Sequence, residues 1–487
     1  MLARDKGRNR AADGASHQQG GESQVVVDCK QTDQHRHALA VVVFLNDTLA
    51  ETDLRRKRSF EFHLENPDEA ATERTLQDTV LAGLQSVDAH QSEVVKWPPG
   101  GGTAAIAKCG NEMQLLTRVP PLAPPRLSAL RAANQHRSEP LPKLNLLVLF
   151  LDAISRRAFI SKMPLASAAL EELAREHGLE LFQFFRYHSV GHSTGVNTLP
   201  LFCGVPHSRA GTMMPYWEEA ALGGRRVGYA SNLCEDWGSE YNFASNRRAT
   251  GTAGGVDAEL VAPFCLPPHY PPPGENPLGN FAGPYSIRPR CAFGRSAHEH
   301  LLDWLVDFAM ENATSPSAPW LAHGMLIEGH EGTGEVIRSV DVALAGMLRR
   351  LVQRQVLKGD LDSTAVVLVA DHGLHMGINF LLTQSGAVEH QLPMLFMLLP
   401  TALVNRSLHG QQGTIRDSLR RNMQEVITPY DVHATLKHLG SWPARPQDTT
   451  HGRSLFDVPA EKAPRSCAEA HIPHWRCQCT NGGVSGV

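Results

Sequence analysis

Two aspartates, Asp152 and Asp371, each directly follow a run of aliphatic residues. Residues 144–151 read LNLLVLFL and residues 363–370 read STAVVLVA. Runs without polar alternation predict strands buried on both faces of a parallel sheet. Open α/β sheets bind their ligands beyond the carboxyl ends of such strands, so we expect both carboxylates at one sheet edge. His372 follows Asp371, and carboxylate oxygens with an imidazole are typical of a divalent-metal site.

The segment Asp371-His372-Gly373 also has a simpler interpretation. Asp371 could cap the turn after its strand, with His372 incidental to any chemistry. The second acidic strand end, at Asp152, favours the metal site over this alternative.

A candidate nucleophile lies between the two strands, in residues 190–197, VGHSTGVN. A hydroxyl beside a divalent cation can lose its proton and attack phosphorus or sulfur. Ser193 and Thr194 are both suitable on chemical grounds. Either could instead be an ordinary helix N-cap, and a helix N-terminus also favours an incoming anion.

The overall composition is that of an ordinary soluble globular protein. Among 487 residues, 42% are hydrophobic and 20% charged, and the net charge of -4 offers no electrostatic case for nucleic-acid binding. No run approaches the roughly 18 apolar residues that a membrane span needs. The first twenty residues contain no apolar h-region, so no signal peptide is visible.

The cysteines bear on the cellular compartment. Nine are present, and Cys467, Cys477 and Cys479 cluster near the end, either as disulfides or as a metal knuckle. We favour disulfides, and hence a secreted or secretory-pathway protein. Three glycosylation sequons agree with this compartment and predict a glycoprotein; they begin at Asn46, Asn312 and Asn405.

Strand and helix patterns alternate along most of the chain. They predict a three-layer α/β/α sandwich around a mostly parallel sheet, preceded by a small β-containing region. A Pro/Gly-rich insertion at 250–290 looks too turn-rich to belong to the core. The predicted units are a disordered N-terminus (1–28), the small N-terminal region (29–120), a linker (121–142), the catalytic domain (143–460) and a cysteine-containing tail (461–487).

Several motifs, in order, resemble a sulfatase-like family catalogued as a domain of unknown function. They include VGHSTGVNTLPLFCG, VADHGLHMG, EHQLPMLFMLLP and CAEAHIPHWRCQC, and the resemblance extends over residues 144–479. The family belongs to the alkaline phosphatase superfamily. The resemblance therefore implies an alkaline phosphatase-like fold and a metal-dependent active site.

The resemblance also assigns roles to individual residues. It prefers Thr194 to Ser193 as the nucleophile and matches Asn197 to a family asparagine, which could bind a phosphoryl or sulfuryl oxygen or stabilise the turn. The implied cation is Zn²⁺ or Mn²⁺, and His330 is the best further ligand if two zinc ions bind. The implied metal ligands are Asp152, Thr194, Asp371, His372 and His330.

Two positions depart from the family pattern. His375 and His390 stand where the family more often has arginine, which puts anion recognition in doubt. We interpret both as partly exposed polar residues on loops. Nothing in the sequence singles out His188, His192 or His207 near the nucleophile.

A formylglycine sulfatase is disfavoured by the residues around the nucleophile. The segment lacks the C/S-x-P/A-x-R pattern, and Cys203 is followed by Gly-Val-Pro. The leading prediction is a metal-dependent hydrolase or transferase of phosphate esters, with sulfate esters second. The alternatives are a non-catalytic secreted binding protein on the same fold and an intracellular redox or zinc protein built on the C-terminal cysteines.

Overall fold

The structure is a computed structural model. It describes residues 24–27, 39–45, 81–88, 93–97, 102–109, 112–135, 144–206, 214–233, 256–265, 285–314, 318–408, 413–446, 451–457 and 464–478. Predictions for Asn46, His207, Cys479 and residues 1–23 lie outside these ranges.

The N-terminal region is built of antiparallel strands, which confirms the predicted β-containing region. Strand β1 (Gln24–Val27), at the end of the stretch expected to be disordered, pairs with β4 (Glu93–Lys96). A four-stranded sheet has the order β3-β2-β5-β6. Its strands are β2 (Leu39–Leu45), β3 (Leu81–Asp88), β5 (Ala104–Cys109) and β6 (Glu112–Thr117).

This region packs directly on the rest of the chain. Ile106 and Leu115 are buried in one apolar cluster with Trp304. Helix α1 (Pro124–Gln135) occupies most of the predicted linker, and its Arg126 forms an ion pair with Asp257 at 2.6 Å. The linker segment is thus held against the core, while the proposed domain boundaries stay a prediction.

The central sheet has seven strands in the order β10-β9-β13-β7-β14-β15-β8. Neighbours from β10 to β14 are parallel, and β15 runs antiparallel to both β14 and β8. In chain order the core strands are β7 (Asn145–Leu151), β8 (Leu179–Gln183), β9 (Arg226–Ser231), β10 (Ala258–Leu260), β13 (Trp320–Leu326), β14 (Thr364–Val369) and β15 (Leu395–Pro400), with the short pair β11 (Cys291–Ala292) and β12 (Arg295–Ser296) outside the sheet.

Helices cover both faces of this sheet. In chain order they are α2 (Arg156–Lys162), α3 (Pro164–Glu176), α4 (Thr194–Cys203), α5 (Tyr216–Leu222), α6 (Ala297–Thr314), α7 (Asp341–Gln353), α8 (Gly377–Leu382), α9 (Gln384–Gln391), α10 (Thr401–Val404), α11 (Ile415–Asn422) and α12 (Pro429–Ser441). Helices α3, α6 and α7 share one apolar cluster, and α4, α5 and α12 share the other. The predicted α/β/α sandwich is confirmed.

Strand β7 shows why its sequence lacks polar alternation. Leu147 and Leu149 belong to one of the two apolar clusters, whereas Val148 and Phe150 belong to the other. A strand between two helical layers buries both faces, so every position is apolar. The same environment surrounds β14, whose residues are all buried.

Helix α7 directly follows a 3₁₀ turn (Val336–Val340). One local prediction needs correction. The 250–290 stretch is not wholly outside the core, because β10 joins the sheet and Leu260 and Phe264 are fully buried. Its Pro/Gly-rich part, 266–284, lies outside the described residues.

The cysteine and sequon predictions have separate outcomes. Cys467 and Cys477 form a disulfide, which confirms one predicted bridge and removes two thiols from any zinc knuckle. Asn312 is buried and its amide bonds Arg226 Nη1 and Phe308 O, so its sequon is a poor glycan acceptor. Asn405 is exposed. No helix in the described ranges is long and apolar enough to cross a membrane.

Candidate active site

Asp152 and Asp371 lie together at the carboxyl edge of the sheet. Their strands β7 and β14 are parallel neighbours with Val369 opposite Phe150, so the two strands end side by side at the same edge of the sheet. The exposed fractions are 2% for Asp152 and 0% for Asp371. The backbone N–H of Ala153 donates to Asp371 Oδ1 at 3.3 Å, which ties the two strand ends together.

His372 presents one ring nitrogen to this carboxylate pair. Its Nδ1 lies 2.7 Å from Gly373 O, a contact that only an N–H can make, so Nε2 carries the lone pair. Nε2 is 3.1 Å from Asp371 Oδ2. A histidine that donates its other N–H to a backbone carbonyl is typical of metal ligands.

Thr194 is the first residue of helix α4, and its hydroxyl faces His372. The Thr194 Oγ1 to His372 Nε2 distance is 3.2 Å. Ser193 precedes it as the N-cap but forms no side-chain capping bond. The N-terminus of α4 therefore carries the hydroxyl into the site and turns free backbone N–H groups toward an anion there.

Asn197 holds the turn that precedes Thr194. Its Oδ1 accepts from the backbone N–H groups of Val190 and Gly191, each at 2.9 Å. Its Nδ2 donates to Gly191 O at 3.1 Å and Ser193 O at 2.9 Å. These bonds use the full capacity of the amide, so contact with a substrate oxygen would require breaking one of them.

The electrostatics of the site are set mainly by burial. Burial, followed by repulsion from Asp371, raises the pKa of Asp152 well above its ordinary value. Burial also raises the pKa of Asp371. The pKa of the His372 imidazole is lowered well below its usual range by burial and by nearby His330. Two buried carboxylates beside a neutral imidazole are unfavourable unless a cation compensates them.

The donor set fits a divalent cation. Asp152 Oδ1 and Asp371 Oδ2 are buried and have no hydrogen-bond partner among the described residues. Asp152, Asp371 and His372 each offer one ligand atom, and these atoms lie within 4.8 Å of one another. Two carboxylate oxygens and one imidazole nitrogen suit Zn²⁺ or Mn²⁺.

A second group of ligand atoms consists of His330, His372 and His375, again within 4.8 Å of one another. His330 is buried, and its Nδ1 has no hydrogen-bond partner within the described ranges. The pKa values of His330 and His375 are both lowered to about 3, chiefly by burial, so these rings are neutral near pH 7. Neutral imidazoles can donate a lone pair to a metal.

His390 and His375 differ from their sequence-based interpretation. His390 is not a loop residue: it lies in α9 and is 1% exposed, with Nε2 2.9 Å from His192 O. Half-buried His375 does lie in a loop, but its ring stacks on that of His372 at a centroid distance of 4.5 Å. Both rings therefore belong to the site.

Close backbone contact at Gly373 brings His390 into place. Gly373 N donates to His390 O at 2.8 Å. A Cβ at position 373 would lie 2.1 Å from Glu389 O, so only glycine allows this approach. Gly373, in the sequence Asp371-His372-Gly373, was a sequence signal that another backbone segment could approach closely, but it could not show which segment does so.

A buried cation that sequence reasoning missed lies close enough to Asp152 to affect its pKa. Arg290 is buried, and its Nη2 is 3.9 Å from Glu328 Oε2. Its charge opposes the rise in the pKa of Asp152. Glu328 is held in turn by Asn232 Nδ2 at 2.6 Å. Arg290 thus places a positive charge beside the site although positions 375 and 390 lack arginine.

Fold and site together define an α/β/α protein with a carboxylate, imidazole and threonine cluster at its sheet edge. Residues 284–483 match the family described as "Protein of unknown function (DUF229)". This match confirms, for that part of the chain, the family resemblance indicated by the motifs. None of the curated proteins compared with the chain matches it.

Solved structures with similar folds include lipooligosaccharide phosphoethanolamine transferase A, an integral membrane protein of Neisseria meningitidis. That match has 13% identity and a TM-score of 0.40, and covers 63% of this chain and 56% of that one. The zinc complex of the periplasmic EptC domain of Escherichia coli matches with 12% identity, coverage of 71% and 92%, and a TM-score of 0.42. The putative sulfatase yidJ of Bacteroides fragilis matches with 14% identity, coverage of 66% and 78%, and a TM-score of 0.40.

Proposed function

We propose that this chain is a metal-dependent hydrolase or transferase of phosphate esters, with sulfate esters as the second choice of substrate. One observation carries the proposal: the Thr194 hydroxyl lies 3.2 Å from His372 Nε2, beside two buried carboxylates that each have one oxygen without a hydrogen-bond partner in the described part of the chain. A hydroxyl in such surroundings is suited to nucleophilic attack rather than to solvation.

Asp152, Asp371, His372 and the Thr194 hydroxyl would hold the cation. When bound, a divalent cation lowers the pKa of the hydroxyl and offsets charge on the transferring group. His330 and His375 offer ligand atoms for a second cation. The Gly373 carbonyl orients the His372 ring, so that Nε2 faces the site without a change of tautomer.

The proposed reaction proceeds through a covalent phosphothreonine. The Thr194 hydroxyl gives its proton to solvent, and its Oγ1–P bond forms as the bond between phosphorus and the leaving-group oxygen breaks; the departing oxygen takes a proton from solvent. Water or an acceptor hydroxyl then attacks phosphorus and loses its proton, the Oγ1–P bond breaks, and Thr194 Oγ1 is reprotonated. The N-terminus of α4 and the buried Arg290 supply positive potential for the equatorial oxygens.

Asn197 acts in this account as a positioning residue. Its amide fixes the backbone of residues 190–193, and that turn sets the direction of the first helical residue. A role for Asn197 in binding a substrate oxygen, suggested by the family pattern, is the less economical alternative because its hydrogen-bonding capacity is already used.

We also propose that the protein works in a secreted or secretory-pathway compartment. The Cys467–Cys477 disulfide supports this, because such bonds persist in oxidising compartments and are rare in the cytosol. Exposed Asn405 remains a candidate glycan site.

The function is tested with Thr194→Ala and Ser193→Ala as a matched pair. Each protein is assayed with an aryl phosphate, a phosphodiester and an aryl sulfate in the presence of Zn²⁺ or Mn²⁺. We expect Thr194→Ala to lose turnover with an unchanged circular dichroism spectrum, and Ser193→Ala to keep most of it. Unchanged hydrolysis by Thr194→Ala would overturn the assignment.

The imidazoles at positions 375 and 390 favour one rival function. A non-catalytic secreted protein could keep the fold and bind an anionic ligand without transferring it. Folded wild-type protein that binds no metal and turns over none of the three substrates would support this rival.

A further inference from the structure

The C-terminal segment 464–478 packs against the turn of residues 188–193, which directly precedes the proposed nucleophile Thr194. Val190, at the start of the turn, shares an apolar cluster with Cys467, Ala470 and Ile472. The disulfide between Cys467 and Cys477 closes this segment into a loop. The tail is therefore part of the site region although it lies more than two hundred residues further along the chain.

Arg476 makes the polar contacts between this loop and the turn. It is 3% exposed, and its Nη2 donates to Gly191 O at 2.8 Å and approaches Ser189 Oγ at 3.5 Å. Two residues further on, Gln478 N donates to His188 Nε2 at 3.3 Å. The tail thus contacts His188 and Ser189 through their side chains and Gly191 through its backbone carbonyl.

Asn197, in helix α4, also binds the Gly191 carbonyl. Gly191 O accepts from both Arg476 Nη2 and Asn197 Nδ2, at 2.8 Å and 3.1 Å. A carbonyl bound by two donors has little freedom to rotate. Three residues later the chain reaches Thr194 Oγ1, so a shift of Gly191 would move the hydroxyl relative to His372.

Within the described residues, Arg476 forms no ion pair with a carboxylate, and its Nε has no hydrogen-bond partner. Its guanidinium carbon lies 5.4 Å from the ring centroid of the exposed Trp475. A buried guanidinium without a counter-ion is costly, and apolar packing alone could be supplied by methionine. We propose that Arg476 is a positioning residue for the nucleophile: it fixes the Gly191 carbonyl, and the Cys467–Cys477 disulfide keeps Arg476 in place. The inference rests on the proposed role of Thr194.

The experiment compares full-length Arg476→Met, Arg476→Lys and the double variant Cys467→Ser/Cys477→Ser. His474→Ala, an exposed change in the same loop, is the control. Hydrogen–deuterium exchange of the Val190 and Gly191 amides reports the turn directly. We expect exchange to accelerate about tenfold in Arg476→Met and in the double variant, as the loss of one buried hydrogen bond implies, and to stay unchanged in His474→Ala.

Aryl phosphate kinetics separate positioning from general packing. We expect kcat of Arg476→Met to fall about 10- to 100-fold with little change in KM. Arg476→Lys should recover part of kcat, because an ammonium can still donate to Gly191 O. Equal kcat for the lysine and methionine variants, or wild-type exchange in Arg476→Met, would overturn the proposal. Absence of turnover in every protein, wild type included, would count against the proposed function, and the exchange experiment would then decide the role of Arg476 by itself.

Discussion

Thr194 Oγ1 and His372 Nε2 lie 3.2 Å apart although 178 residues separate them in sequence. The contact exists because two structural elements meet there. The N-terminus of helix α4 positions the hydroxyl, and the carboxyl end of the parallel strand β14 positions the imidazole. A hydroxyl of this kind is ordinary on a surface. Beside two buried carboxylates, it becomes the candidate nucleophile of a metal-assisted site.

Replacement of Asp152 by Asn should have opposite effects on stability with and without metal. We expect at least about 100-fold weaker Zn²⁺ and Mn²⁺ binding, because a charged ligand is lost. In metal-free protein at pH 8, Asp152→Asn should be at least as stable as wild type, because the repulsion from Asp371 is gone. Calorimetric titration and thermal unfolding measure the two effects.

Asp360→Asn, an exposed change, is the control for the Asp152 variant and should alter neither quantity. In saturating metal, wild type should be the more stable protein by mass action. Wild-type metal affinity in Asp152→Asn would remove Asp152 from the proposed ligand set.

His330 and His375 should determine whether a second cation binds. Because His372 Nε2 is already assigned to the first cation, a second cation would be held by His330 and His375. We therefore expect His330→Asn and His375→Asn each to lower bound zinc by one equivalent per chain. His390→Asn is the matched comparison, since its Nε2 already bonds His192 O. Elemental analysis after dialysis gives the stoichiometry, and an equal loss in all three variants would contradict separate roles.

Gly204 should be required for stability, because it ends helix α4, whose first residue is Thr194. It ends α4 with φ 69°, and a Cβ there would lie 2.4 Å from His433 Cδ2. We expect Gly204→Ala to lower the free energy of unfolding by about 2 kcal/mol or more, from backbone strain and steric overlap. Gly346→Ala, inside α7 with no atom near its Cβ, should raise it by about 0.5–1 kcal/mol. Urea denaturation compares the two.

His438 should make stability depend on pH. It is 0% exposed in α12, and burial lowers its pKa to about 4. In the unfolded chain the pKa of histidine is about 6.5, so below that pH the unfolded chain binds a proton that the folded ring does not. The free energy of unfolding therefore falls as the pH drops from about 6.5 to about 4. Over that window His438→Gln should lose less stability than wild type, by about 3 kcal/mol at most.

Denaturation curves at several pH values test this contribution. His474→Gln, at an exposed position, should keep the wild-type slope. Parallel curves for wild type and His438→Gln would show that burial of this imidazole does not disfavour its protonation.

Strand-end acids were predictable because their signal is local. A fully apolar run reports burial on both faces, and the residue that ends it must stand at the sheet edge, so Asp152 and Asp371 could be placed before any coordinates. The preference for Thr194 over Ser193 rests only on the family pattern, since Ser193 also carries a hydroxyl and precedes Thr194 as the N-cap.

The positions of His375, His390 and Arg476 at the site were not predictable, because long-range packing determines them. His390 meets His192 O across 198 residues, and Arg476 meets Gly191 O across 285. No periodicity connects such positions. His390 reaches the site through the backbone contact at Gly373. Arg476 reaches the turn through the packing of the loop closed by Cys467 and Cys477.

The central claim is that Thr194 forms a covalent intermediate, and trapping that intermediate tests it most directly. The metal-loaded protein is incubated with an aryl phosphate, quenched in acid and digested, and peptides covering residues 190–203 are fragmented by mass spectrometry. The account predicts one phosphoryl group on Thr194, absent from protein treated with chelator and from Thr194→Ala. Turnover with no label, or with the label on Ser193, would contradict it.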